Sequence, residues 1–164
     1  FSLSKSFSMT GWRIGFAVGR TPLIAPLTQV KTYTDTGPFL AVQEAGAAVL
    51  DRAEELTRPI CAELARRRDA AVPALRAAGF EVEPPKAAMY LWVALPAGVS
   101  SKAFARHALE VEGVLVLPGS AFGPAGEGFF RIALTVPAER LLSAVGRLAK
   151  AIAGVQEVGG GQAA

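Results

Sequence analysis

A chain with one cysteine, Cys61, can form no internal disulfide, and one with a single histidine, His107, has no second imidazole to share a metal ion. Disulfide-stapled secreted scaffolds and Cys/His metal domains are thereby set aside, and no metal site is expected. A serine-histidine-aspartate triad is not legible either, because no spaced nucleophile motif accompanies His107. His107 follows Phe104 by one turn of an expected helix and reads as a surface or packing residue. Cys61 reads as a small helix-packing residue, consistent with a reducing compartment. Long hydrophobic runs are missing as well. The longest uncharged stretch, residues 87–101, contains Pro96 and Gly98 and falls short of the roughly 18 residues that a membrane-spanning helix needs. With no secretory signal in view, the expectation is a soluble cytoplasmic protein with no membrane partner.

Charge of one sign is not concentrated anywhere. The net charge is +3 at a sequence pI of about 9.4, and the basic residues are spread along the chain, so nothing demands nucleic acid. The densest basic run, Arg66, Arg67 and Arg68, falls in a helical stretch and reads as a solvated face in preference to a phosphate-binding patch. What the chain does have is apolar content: 51% of its 164 residues are hydrophobic, enough to build a core in one domain or two small ones. It opens on a motif and not on methionine, and is expected to be a piece of a longer polypeptide.

That motif organises the rest. Lys5 sits among Ser2, Ser4, Ser6 and Ser8; Arg13 follows Gly11 and Trp12; then Ile14, Gly15, Phe16, Ala17 and Val18 have the apolar look of a buried strand. A loop is therefore expected to bring Lys5 and Arg13 to the edge of a sheet. A lysine with an ordinary pKa near 10.4 is free amine in only about one molecule in a few thousand at neutral pH, so it is a poor nucleophile until desolvation, a neighbouring cation or Schiff-base formation with an aldehyde favours the neutral form. A guanidinium, by contrast, clamps a phosphate with two parallel hydrogen bonds, and a serine hydroxyl can add a third. Lysine plus phosphate clamp describes a pyridoxal phosphate site.

Ser2, Ser4, Lys5, Gly11, Arg13 and Gly15 together resemble the attachment-site signature of the class I and II aminotransferases, the fold-type I pyridoxal phosphate enzymes. The resemblance implies that Lys5 is the catalytic residue carrying the cofactor as an internal aldimine, and that Ser2 and Arg13 hold the phosphate of pyridoxal 5'-phosphate.

Further along, Thr21 and Pro22 mark a helix entry, with a helix expected through about Tyr33 and Pro26 disturbing its start. A turn over residues 34–38 follows, and Pro38 can begin the next helix. Apolar residues from Phe39 to Leu75 recur at helical spacing, giving one long helix or two in series, with Pro59 and Pro73 expected to kink or split it and Gly79 to end it. The remainder reads as a compact α/β unit. Short strands are expected over residues 80–83, 87–95, 114–117 and 129–135, with a helix from Ser100 or Ser101 to about Glu112, stopped by Gly113, and another from Pro137 to about Ala153, stopped by Gly154.

Within the strand at 129–135, Arg131 shares a face with Phe129 and Ala133 and projects from an element otherwise apolar. Such a residue needs an anion: a carboxylate of the protein, for which Glu127 and Glu139 are the local candidates, or a bound ligand. The segments at 117–123 and 128–134 look like the small-domain region of the same aminotransferases that supplies the substrate-carboxylate arginine, and Arg131 matches that position. Residues 86–92 resemble a family strand in which Tyr90 and Trp92 read as mostly core.

The resemblance covers residues 1–153 and implies an α/β protein of three parts. These are the distal end of the fold-type I large cofactor-binding domain (1–37), a long kinked interdomain helix (38–75) and a small C-terminal α/β domain (76–153); a flexible tail (154–164) follows. Its details are most similar to the branch containing LL-diaminopimelate and aspartate aminotransferases. It implies transfer of an α-amino group between an amino acid and a 2-oxo acid, and a homodimer. The family's groups for the pyridine nitrogen, ring face and ring hydroxyl precede the lysine, so none is assigned here, and the piece alone is expected to be inactive. A lyase or decarboxylase of the same fold would keep Lys5, Arg13 and Arg131, and so would an aminotransferase-like effector domain of a transcription regulator, which would carry a helix-turn-helix upstream.

Overall fold

The computed structural model describes residues 1–35 and 37–160. It divides into two compact units, Phe1–Ala62 and Glu63 onward, with the division falling inside one helix.

The first unit is helical: α1 (Leu3–Ser6), a 3-10 turn (Thr10–Trp12), α2 (Thr21–Thr34), α3 (Leu40–Asp51) and the start of α4 (Ala53–Ala77). The apolar run after Arg13 is not the buried strand its composition suggests. Only Gly15 is paired, in an isolated bridge to Ser2, and Phe16 and Val18 are exposed. A strand needs a ladder of backbone bonds, and here the pairing is confined to Ile14 and Phe16 on either side of that one bridge. In α2, Arg20 is the N-cap, Thr21 the first helical residue, and the helix runs through Pro26 without interruption. α3 begins at Leu40 behind Phe39, not at Pro38. Of the expected turn at 34–38, Thr36 lies outside the described residues.

The long helical stretch breaks at Arg52, which leaves α-geometry at φ −113°, ψ 25°, and not at the prolines. α4 carries through both Pro59 and Pro73. Each costs a backbone hydrogen bond to the residue four before it, but both prolines are exposed and lie about four turns apart, so the helix bears each loss separately on its outer face. Ion pairs along the surface, Arg52–Glu55, Arg58–Glu54 and Arg66–Glu63, add small increments of helical stability. Cys61 is exposed on this helix, so it is not the packing residue its size suggests.

The second unit is a four-stranded antiparallel sheet with helices on one face. Its strands are β1 (Glu81–Val82), β2 (Tyr90–Ala94), β3 (Leu117–Pro118) and β4 (Phe129–Ala133), in the order β1-β2-β4-β3. α5 (Ser101–Glu110) and α6 (Ala138–Gly160) cover the face formed by Val82, Leu91, Val93 and Phe130, joined by Ala71, Val72 and Leu75 from the end of α4. Phe80, Phe104 and Phe130 meet at its centre with ring centroids 4.8 to 6.3 Å apart. α4 enters this unit through a left-handed Gly79 (φ +87°), which lets Phe80 N donate back to Leu75 O and Gly79 N to Arg76 O.

The three consecutive arginines are structural. Arg66 and Arg67 both donate to Glu63, holding its carboxyl down to about 2, and Arg67 also reaches Leu134 O at 2.9 Å. Arg68 pairs with Asp69 and donates to Pro85 O. Gly154, expected to end the last helix, lies inside α6. There the His107 ring packs so closely that a Cβ on residue 154 would stand 2.5 Å from Nε2, so this glycine marks a close approach and not a stop. The expected tail therefore begins within a helix that reaches Gly160, and residues 161–164 lie outside the described residues. No described helix is long and apolar enough to cross a membrane.

Candidate active site

Residues 1–16 fold back on themselves as a hairpin with helical turns at its tip. Leu3 N donates to Ile14 O at 3.2 Å and Phe16 N to Phe1 O at 3.0 Å, flanking the Ser2–Gly15 bridge, while the Phe1 and Phe16 rings stack at 5.0 Å. Gly15 is required here, because a Cβ would stand 2.5 Å from the Phe1 carbonyl oxygen, which is backbone and cannot step aside. Leu3 and Met9 are buried and anchor the hairpin. Gly46 of α3 leaves the room that Leu3 and Ile14 occupy.

This hairpin brings Ser2, Lys5 and Arg13 into one small structure. Ser2 is the N-cap of α1, its hydroxyl accepting from Ser4 N at 3.2 Å, and Lys5 is the third residue of that single turn. The Thr10 hydroxyl donates to Ser4 O at 3.0 Å, and Arg13 Nη1 donates to Thr10 O at 3.3 Å, tying the two turns together. Arg13 is held in the left-handed region at φ 52°, ψ 48°, a conformation that costs a non-glycine residue roughly 1 to 2 kcal/mol. Strain of this kind collects where a side chain must be aimed. Lys5 is exposed and has neither ion pair nor hydrogen bond among the described residues. So the expected loop at a sheet edge is instead a helical turn and a strained turn, clasped by one backbone bridge.

Arg131 stands on β4 in the second unit, opposite Trp92 of β2 and Leu117 of β3. Of the two readings weighed for it, the internal ion pair fails. Glu127 accepts instead from Ser101 N at 2.7 Å and from the Ser101 hydroxyl at 2.9 Å, and no carboxylate meets Arg131 among the described residues. These bonds at the first turn of α5, led by the one from Ser101 N, hold the Glu127 carboxyl below its usual range. Arg131 is bounded by rings: its Cζ lies 4.1 Å from the Tyr90 centroid and 4.5 Å from that of Phe122. Tyr90 and Trp92 are not core residues. The alternation of β2 buries Leu91 and Val93 and turns Tyr90 and Trp92 to the Arg131 face. That alternation was readable from the strand; the approach of Phe122, in the 3-10 turn Gly119–Phe122, was not.

Residues 1–148 match the family model described as Aminotransferase class I and II. The chain belongs to this family. Class I and II aminotransferases are pyridoxal phosphate-dependent, and the chain's α/β architecture matches solved fold-type I members. It is 46% identical over 147 residues to LL-diaminopimelate aminotransferase 2 of Trichormus variabilis, covering 90% of this chain and 38% of that protein. With the LL-diaminopimelate aminotransferase of Dehalococcoides mccartyi it shares 45% over 148 residues, at the same coverages. Among solved structures, a probable N-succinyldiaminopimelate aminotransferase from Thermus thermophilus superposes with a TM-score of 0.87 at 39% identity, covering 92% of this chain and 40% of that one. An aromatic aminotransferase from Pyrococcus horikoshii gives the same TM-score at 33% identity, covering 94% of this chain and 42% of that one. The chain thus spans about two-fifths of the length of the relatives it matches.

The residues present fit the family's cofactor. Lys5 offers an amine that is unpaired among the described residues. Arg13 commits one nitrogen to Thr10 O and keeps its others, and Ser2 accepts from Ser4 N while its own hydroxyl proton is unspent.

Proposed function

We propose that the polypeptide carrying this chain is an aminotransferase that moves an α-amino group between an amino acid and a 2-oxo acid. Pyridoxal 5'-phosphate, when bound, supplies an aldehyde that takes up amines and an electron-poor ring that accepts charge developing at the substrate Cα. This chain's residues would do the rest. Lys5 holds the cofactor covalently between turnovers and, once displaced, carries the proton to and from the substrate Cα. Ser2 and Arg13 hold the phosphate, the guanidinium by paired N–H donors. Arg131 receives the substrate's α-carboxylate in the same bidentate manner, which fixes the direction of the Cα–H bond.

The domain division at 37 and 75, a homodimer and a cytoplasmic setting belong to the same reading and rest on family membership. So does a substrate near those of the LL-diaminopimelate branch. One observation carries the reading: the hairpin that sets an unpaired lysine amine and a strained arginine on two tied turns, in a chain whose family is established.

The test is Lys5→Ala in the complete polypeptide. The unmodified protein should retain the cofactor covalently after borohydride reduction, as a mass increment on the peptide containing Lys5, and Lys5→Ala should lose both that increment and turnover. Full transamination by Lys5→Ala would overturn the assignment. Accumulation of a 2-oxo acid and a new amino acid, with no release of carbon dioxide or ammonia, separates this activity from a decarboxylase or lyase.

A further inference from the structure

Arg131 is half-buried on a strand, yet no carboxylate among the described residues neutralises it. A carboxylate partner would hold the guanidinium still, but would occupy the N–H edge and cancel the charge that a substrate carboxylate must find there. Aromatic rings do otherwise, since their negative faces attract the cation and accept no N–H bond in the guanidinium plane. Tyr90 reaches Arg131 diagonally across the β2–β4 ladder, because its direct partner is Ala133. Phe122 arrives from outside the sheet and is itself held. Its ring meets Trp92 edge-on at 5.5 Å, and Trp92 stacks on Phe129 at 5.6 Å. The turn beneath Phe122 is fixed by backbone contact: a Cβ on Gly119 would collide with the Gly126 carbonyl oxygen, and Gly123 closes the turn at φ 113°.

We propose that Phe122 is a positioning residue for Arg131: with Tyr90 it holds the guanidinium by ring-face attraction and so leaves the N–H edge free for an α-carboxylate. This rests on the reading of Arg131 as the carboxylate-binding group. Tyr90 has a hydroxyl that could itself meet substrate, whereas Phe122 has only its ring, so Phe122 gives the cleaner test.

The experiment uses the complete, cofactor-loaded polypeptide and follows the cofactor absorbance in single turnovers. The probes are L-glutamate and 4-aminobutyrate, which lacks an α-carboxylate. Phe122→Leu should raise the apparent Kd for L-glutamate about fivefold, the size of one cation–π contact, with the maximal rate unchanged. Phe122→Trp should restore it, and 4-aminobutyrate should be handled equally by all three proteins. In an Arg131→Gln background, which alone should weaken L-glutamate about tenfold or more and leaves no cation for the rings to hold, Phe122→Leu should add nothing. If Arg131→Gln weakens L-glutamate and Phe122→Leu does not, the positioning role is overturned and the reading of Arg131 stands. If Arg131→Gln has no effect, the carboxylate reading fails and takes the proposal with it. Equal losses with both probes on Phe122→Leu, or no rescue by tryptophan, would make Phe122 merely structural and overturn the proposal.

Discussion

Truncating Phe130 tests whether the second unit is held by one face of its sheet. Phe130 is fully buried on β4, with Phe104 at 4.8 Å and Phe80 at 5.4 Å between centroids. Phe130→Ala removes every ring atom from a packed site, a change that costs about 3 to 5 kcal/mol in transfer and cavity terms. Two aromatic contacts account for roughly 0.5 to 1.5 kcal/mol each of that. Phe130→Leu keeps most of the volume and loses the ring contacts, so about 1 to 2 kcal/mol is expected. Phe129, the preceding residue, points to the other face and is only half-buried, so Phe129→Ala should cost about 1 kcal/mol. The assay is urea unfolding read by Trp92 fluorescence with Trp12 replaced by Phe, which leaves one tryptophan, in the second unit. At a slope of about 1 to 3 kcal/mol per molar urea, Phe130→Ala should lower the midpoint by about 2 M and Phe129→Ala by well under 1 M. Equal midpoints for Phe129→Ala and Phe130→Ala would refute the one-sided core.

Glu127 should give the same unit an acid-sensitive component. Its folded pKa is depressed, first by the bond from Ser101 N and then by the Ser101 hydroxyl, so its contribution is present above the unfolded value near 4.5 and is lost as pH falls through the lower folded value. The drop in thermal midpoint between about pH 6 and about pH 3 should be smaller in Glu127→Gln, and because the carboxylate is exposed the difference should shrink in salt. An unchanged drop would refute its role. Gly15→Ala should loosen the hairpin, since the new Cβ meets the Phe1 carbonyl oxygen. In the complete polypeptide, cofactor retention on dialysis should fall while Gly11→Ala, at a position with nothing within 4 Å, has a smaller effect. The reverse order would discredit the bridge as the clasp of the site.

Much of the fold was legible because local chemistry and packing agree. Ser100 caps α5, Gly79 and Gly113 take positive φ beyond their helices, and the alternation in β4 buries Phe130 and Leu134 while turning Arg131 away. The misreadings share one cause: a residue judged by its intrinsic preference, where its surroundings decided. Pro26, Pro59 and Pro73 look like helix breakers, yet all three are exposed and the helices continue through them. Gly154 looks like a stop, yet its missing side chain makes room for His107, a contact forty-seven residues away in sequence. The run from Ile14 to Val18 looks like a strand, but apolar content alone does not supply a partner, and the pairing to residues 1–3 is limited to one bridge and the bonds that flank it.

The candidate site was legible to the extent that its residues are close in sequence. Ser2, Lys5, Arg13 and Gly15 fall within one hairpin, so their spacing could carry the signal. Arg131 could be singled out as a charge on an apolar strand, but its partner could not, since Glu127 lies four residues away and Phe122 nine. Sequence distance favours Glu127. Strand geometry reverses the choice, because Glu127 precedes β4 and turns to the first turn of α5, where the Ser101 backbone N–H has no helical partner of its own and takes its carboxylate. Capping that helix engages Glu127, and an arginine left facing rings is an arginine with its hydrogen bonds still to make.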